Sequence, residues 1–200
     1  MRATRPAGDT GRVNVLLFPG AGSDASHPSL TAIEAALAPH RVVRADFPYR
    51  LAGRKAPDRA PVLLAAVREQ IAALPADEAL VLGGRSMGGR MCSLIAAGAD
   101  GTPPPPNLKG LVLICYPLHP PGKPDQLRVE HFPAIGVPTL FISGDRDAFG
   151  TPDELRRWSA TLPGRAKVEH LFVEGRDHAL KHADHTIAGA VKDFVARRVR

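Results

Sequence analysis

The sequence is short of several things that would have named a class at once. Its two cysteines, Cys92 and Cys115, are too few and too far apart for a zinc knuckle or a disulfide framework. Each sits in an apolar run, where a small buried hydrophobe is the expected role. Aromatics are scarce, with one Trp, two Tyr and seven Phe, and none interleaves with the basic residues. The net charge of +6 therefore predicts no nucleic-acid partner. The local cluster Lys192, Arg197, Arg198 and Arg200 reads as the solvated face of a terminal helix. No apolar run approaches the ~20 residues of a membrane span. Residues 1–12 are polar, without the apolar stretch of an export signal. The expectation is a cytoplasmic protein with no membrane attachment.

What remains, 44% hydrophobic residues in 200, suits one compact domain over residues 1–200, with 1–12 as an N-terminal extension. Short apolar runs alternate with helical periodicities along the chain. Val13–Phe18, Arg41–Ala45, Ala79–Leu82, Leu111–Cys115, Thr139–Ile142 and Val168–Val173 read as strands, the last as an edge strand because Glu169 and His170 interrupt it. Between them run helices, one capped by Ser29, one spanning Leu63 to Leu74, and one opened by the capping box Thr151-Pro152-Asp153-Glu154. Pro103–Pro106 is a short extended linker. The pattern predicts an α/β three-layer sandwich around a mostly parallel sheet of about six strands. The connection from Cys115 to Thr139 is too short for an inserted cap domain.

Three strand ends carry chemistry. Gly84-Arg85-Ser86-Met87-Gly88 matches G-x-S-x-G, and the strand before it and the helical stripe Met87, Met91, Leu94, Ile95 after it supply the strand–turn–helix context of a nucleophile elbow. Ser86 is the candidate nucleophile. The N–H of Met87, at a helix N-terminus, and that of Ala21, in the glycine loop Pro19-Gly20-Ala21-Gly22, are candidate oxyanion donors. Asp145 and Asp147 follow a later strand, and His178 follows the last. Spacing alone leaves both aspartates open as partner of His178. Chain order Ser, Asp, His at successive strand ends is that of the α/β-hydrolase fold. Phe47, Tyr49, Met87, His119, Phe149 and Gly22 are expected to wall the cleft. Arg50 and Arg85 flank it, either to favour an anionic substrate or, for Arg85, to form structural salt bridges. His178, His182 and His185 have a spacing suggestive of a metal, but His178 precedes the helix and no carboxylate cluster joins it, so no metal and no cofactor is expected.

The segments Phe18–Gly22, Phe47-Pro48-Tyr49, Gly83–Arg90, Tyr116–Pro124 and Arg146–Gly150 resemble a small subfamily of α/β hydrolases. It includes dienelactone-hydrolase-like bacterial proteins, testis-expressed-thirty-like proteins and the hydrolase-like domain of a chromatin NSL complex subunit. The resemblance implies a capless α/β hydrolase, and it implies Asp147 as the acid, three residues beyond Gly144, leaving Asp145 to brace its loop. Ser86 departs from the cysteine nucleophile of true dienelactone hydrolases, and Pro19 stands where many hydrolases have histidine. The expected function is a serine hydrolase acting on carboxylic esters or thioesters of a small substrate through an acyl-enzyme. The alternative is a non-catalytic interaction module that keeps the elbow as a structural turn.

Overall fold

The structure, a computed structural model, describes residues 11–199, so most of the expected N-terminal extension and Arg200 lie outside the described residues. Twelve elements alternate along it: β1 (Val13–Phe18), α1 (Pro28–Ala36), β2 (Arg41–Arg44), α2 (Pro48–Leu51), α3 (Ala60–Ala72), β3 (Ala79–Arg85), α4 (Met87–Ala96), β4 (Leu108–Ile114), β5 (Thr139–Gly144), α5 (Pro152–Ser159), β6 (Val168–Val173) and α6 (Asp184–Arg198). The six strands form one sheet in the order β2-β1-β3-β4-β5-β6, and every pairing is parallel. β6 is an edge strand, half-buried along its length.

The period-2 alternation of the strands divides the core into two layers. Leu16, Phe18, Leu80, Leu82, Leu111 and Leu113 face α3, α4 and α5, meeting Leu63, Val67, Met91, Ile95 and Leu155. Val15, Leu17, Val81, Val112, Ile114, Leu140 and Ile142 face α1 and α6, meeting Leu30, Ile33, Ile187, Val191 and Phe194. Truncating one of these side chains to Ala, Leu82 for instance, costs about 2–5 kcal/mol.

Local details differ from the sequence expectation for identifiable reasons. Pro28 takes the first helical position of α1, which moves the cap two residues earlier, from Ser29 to His27, whose ring accepts the Ser29 N–H at 3.3 Å. Pro48 likewise opens a single helical turn, α2, shortly after β2. The capping box at Thr151 is present with both of its bonds. β3 does not stop at Gly83 but runs through Gly84 and Arg85, paired with β1 and β4.

The chain leaves β1 toward β2 on one side and returns to β3 on the other. The strand order therefore reverses between β1 and β3, and a crevice forms at their carboxyl ends. The glycine loop after β1 and Ser86 after β3 flank that crevice.

Candidate active site

Ser86 sits between β3 and α4 with φ 49° and ψ −115°, a backbone conformation that costs a non-glycine residue about 1–3 kcal/mol. The surroundings enforce it. Its N–H donates to the Ile114 carbonyl at 2.8 Å, and the Arg90 N–H closes the first turn on the Ser86 carbonyl at 3.0 Å. Glycine is needed on both sides of the turn because α4 starts directly against β1: a Cβ on Gly84 would stand 2.5 Å from the Phe18 carbonyl oxygen, and one on Gly88 would collide with the Phe18 and Pro19 carbonyls.

The loops after β5 and β6 bring the other two groups to the serine. His178 Nε2 lies 3.0 Å from Ser86 Oγ, and His178 Nδ1 lies 2.8 and 2.9 Å from the two carboxylate oxygens of Asp147. This geometry fixes the proton on Nδ1, facing the carboxylate, and leaves Nε2 as acceptor toward the serine. Asp147 is buried, and its oxygens also accept the Ser143 hydroxyl at 3.1 Å and the Phe149 N–H at 2.9 Å. The two loops can close on each other because Gly144 has no side chain: the Arg176 carbonyl passes where a Cβ would be, and it accepts the Arg146 N–H at 2.9 Å.

Asp145 does not reach His178. Its N–H pairs with the Val173 carbonyl and its Oδ1 is buried without a partner, so the loop-bracing role expected of it falls to Asp147 through the Phe149 N–H. Among the described residues, the N–H groups of Ala21 and Met87 enter no hydrogen bond outside the regular elements. Both flank the crevice, half-buried, and Gly22 is exposed beside them.

Several expected wall residues serve the site from beneath. Phe47 and Tyr49 are fully buried, in a row with Phe18 whose ring centroids are 4.8 and 6.4 Å apart, and they present no face to the cleft. The Tyr49 hydroxyl donates to the Ala21 carbonyl at 2.9 Å, which by peptide planarity turns the Gly22 N–H the opposite way and holds the glycine loop in one orientation. His119 is buried, its Nδ1 2.9 Å from the Pro120 carbonyl and its Nε2 3.4 Å from Glu154, tying its loop to α5. Phe149 does flank the triad, with its ring 4.1 Å from the His178 ring. Both flanking arginines are engaged by the protein. Arg50 is 3.4 Å from Asp24. The buried Arg85 makes no salt bridge among the described residues; its Nη2 donates to the His178 and Ala179 carbonyls at 2.6 and 2.9 Å and so holds the histidine loop down, while its Nη1 is buried without a partner.

Two contributors escaped the sequence reading. Ser143, adjacent to Gly144, supplies a donor to the acid; its only sequence signal is its place at a strand end. Cys115 has a positive φ of 49° and lies beneath the triad, where its sulfur and one ligand atom each of Asp147 and His178 fall within 4.8 Å of one another. Burial pushes the Cys115 thiol up to about 12. A neutral thiol is a poor metal ligand, and the other two groups already face each other, so the donor set suits a hydrogen-bonded relay resting on an apolar floor.

The fold recurs in solved structures. Est1E from Butyrivibrio proteoclasticus superposes with a TM-score of 0.69 at 16% identity, covering 96% of this chain and 90% of that one. The esterase domain of a Rhodothermus marinus protein gives 0.70 at 16% identity, with coverage of 96% and 90%. Alpha/beta hydrolase domain-containing protein 10 from mouse gives 0.69 at 15%, covering 92% and 90%. At such identities the likeness speaks for the fold. The family model described as the alpha/beta hydrolase domain matches residues 11–196, nearly the whole described chain, and the protein belongs to that family.

Proposed function

We propose that this α/β hydrolase is a serine hydrolase that cleaves carboxylic ester or thioester bonds of a small substrate through an acyl-enzyme. The observation that carries the reading is the continuous relay from Ser86 Oγ through His178 to the buried Asp147, each link within 3.0 Å. His178 Nε2 takes the Ser86 proton as Oγ attacks the carbonyl carbon. The oxyanion that forms is held by the N–H of Met87 and the N–H groups of the Ala21–Gly22 loop. The imidazolium, stabilised by Asp147, then returns the proton to the departing alkoxide or thiolate. Water repeats the sequence on the acyl-enzyme and regenerates the serine. No step requires a cofactor.

The esterases among the structural neighbours support the substrate class. We further infer membership of the small capless subfamily that includes testis-expressed-thirty-like and dienelactone-hydrolase-like proteins, a reading supported by the resemblance of the Gly83–Arg90 and Tyr116–Pro124 segments. A cytoplasmic setting belongs to the same proposal, supported by two free, buried cysteines. With Met87 and Phe149 as its apolar flanks and no cap above them, the cleft favours short acyl groups over long lipids. The test is turnover of p-nitrophenyl acetate by the wild type and by Ser86→Ala. The variant is expected to fold normally and lose on the order of 10⁴–10⁶ in rate. A purified variant that keeps its activity would overturn the mechanism.

A further inference from the structure

Six of the seven Phe in the sequence pack into one core layer or the other: Phe18, Phe47, Phe132, Phe141 and Phe172 on the side of α3, α4 and α5, and Phe194 on the side of α1 and α6. Phe149 belongs to neither. Its half-buried side chain lies against the imidazole of His178, with ring centroids 4.1 Å apart and planes 32° from parallel. No other aromatic pair among the described residues is as close; Phe18 and Phe47 come next at 4.8 Å.

The ring is held there by the same turn that carries the acid. The Phe149 N–H donates to Asp147 Oδ1 at 2.9 Å and the Gly150 N–H to the Asp147 carbonyl at 3.3 Å, so the segment from 147 to 150 is one tight turn. It meets the imidazole twice: Asp147 at Nδ1, and Phe149 two residues later with its ring. The Pro-rich exit of β4 pins this turn from outside. The His119 N–H donates to the Phe149 carbonyl at 3.2 Å, and Gly150 is packed so closely on Leu118 that an added Cβ would stand 2.9 Å from Leu118 Cδ1. The segment Tyr116–Pro124, conspicuous in the sequence, thus acts on the turn behind the acid.

We propose that Phe149 is a positioning residue of the reaction, its aromatic ring stabilising the His178 imidazolium that exists while Ser86 attacks or leaves. The inference rests on the serine-hydrolase reading above. When Nε2 takes the Ser86 proton, the positive charge forms near the buried Arg85, whose Nη2 donates to the His178 carbonyl at 2.6 Å, and against an apolar cover that keeps water from the ring. Both raise its cost. The Cys115 thiol beside the ring is neutral, which leaves Asp147 as the one anion in contact with it. An aliphatic cover would only desolvate the charge. An aromatic face carries a negative quadrupole that attracts a cation within about 6 Å of its centroid, so Phe149 offsets the desolvation it causes. Because the charge is absent from the ground state, the effect falls on kcat and kcat/KM together and spares KM.

The test replaces Phe149 by phenylalanines carrying one, two and then three ring fluorines, which weaken the quadrupole stepwise on a ring of nearly constant shape. Turnover of p-nitrophenyl acetate and p-nitrophenyl butyrate is followed across the series. The expected result is a stepwise fall in kcat, about tenfold in all, with KM and the acetate-to-butyrate ratio unchanged. Phe149→Leu, which keeps an apolar cover, falls to a similar level, and Phe149→Tyr retains most of the rate. The rate at which a fluorophosphonate labels Ser86 falls along the same series, a readout that needs no turnover. The same fluorines at Phe172, on the edge strand, leave kcat unchanged; an equal slope there would overturn the assignment to Phe149. A change confined to KM or to the acetate-to-butyrate ratio would make Phe149 a wall of the acyl cleft and overturn the inference. If Ser86→Ala abolishes turnover but the fluorine series is flat, the inference fails and the hydrolase reading stands. If the wild type cleaves neither ester and takes no label at Ser86, the hydrolase reading fails and the inference fails with it.

Discussion

The two ends of this one sheet are built from similar residues and differ in where the backbone is strained. Five non-glycine residues among those described have positive φ, and four of them, Ser86, Cys115, Leu180 and His182, lie in loops that leave the carboxyl ends of strands. The fifth, Lys167, merely precedes β6. The buried Asp147 and the open N–H groups of the glycine loop are also at the carboxyl end. At the amino end a cavity of about 1040 Å³ is lined by Arg12, His40, Glu78, Asn107 and Lys109, yet no strained residue and no member of the triad borders it. Volume alone does not mark a site. Backbone strain, held in place by packing, does so here.

The sharpest way to break that contrast is at the acid. Asp147→Asn keeps the size but presents an amide to His178 Nδ1 and favours the wrong tautomer, so kcat is expected to fall by about 10⁴, while Asp145→Asn, two residues away, leaves most of it. A larger loss in Asp145→Asn, both variants being folded, would reverse the assignment. Next in size is the cost of keeping His131 neutral beneath Arg90. Between the ordinary imidazole value of 6.5 and about 4, the unfolded chain takes up a proton that the folded chain does not. Stability is therefore full above pH 6.5 and falls as the pH drops through that window, in all by on the order of 3 kcal/mol. Burial lowers His27 and His170 as well and adds slope of the same sign, so the check is the difference in Tm against pH between wild type and His131→Gln.

How much of this was legible in the sequence follows from the range over which each feature is decided. The elbow is local: Gly84, Ser86, Gly88 and the helix behind them announce it within a few residues, and the order of strand ends points to His178 and to the pair Asp145 and Asp147, between which only the family resemblance chooses. The inward turn of Phe47, Tyr49 and His119 is not local. Whether a loop aromatic walls a cleft or fills the layer below it is settled by Phe18 and Glu154, far along the chain, and no periodicity reports that. The fate of the arginines is equally remote. Arg85 lies within the elbow motif, but its partners are the His178 and Ala179 carbonyls of the loop after β6, which no spacing within the motif reports. The cap of α1 lies two residues before Ser29 because Pro28 outranks Ser29 in choosing where a helix begins.

Two smaller effects sharpen the comparison from opposite ends. Asn14, within β1 toward its amino end, is fully buried with both side-chain polar atoms unpartnered. Its near-isostere in Asn14→Leu should raise stability by about 1–3 kcal/mol with activity unchanged, as a denaturant titration and an ester assay would show together; a loss of stability would mean that the amide is satisfied. At the carboxyl end Tyr49→Phe removes the hydroxyl that orients the Ala21–Gly22 peptide. Its kcat should fall about tenfold with little change in KM, since the loop acts on the oxyanion formed only in the transition state. A pure KM effect would assign Tyr49 to ground-state binding instead.

The central claim is that the strained serine at the end of β3 is the group that attacks. Its most direct measurement is covalent labelling of the folded protein by a fluorophosphonate, with the modified peptide located by mass spectrometry. The account predicts one phosphonyl group per chain, on Ser86, absent from Ser86→Ala and strongly slowed in His178→Ala. A folded protein that takes no label, or takes it with equal efficiency at another serine such as Ser93, would contradict the account.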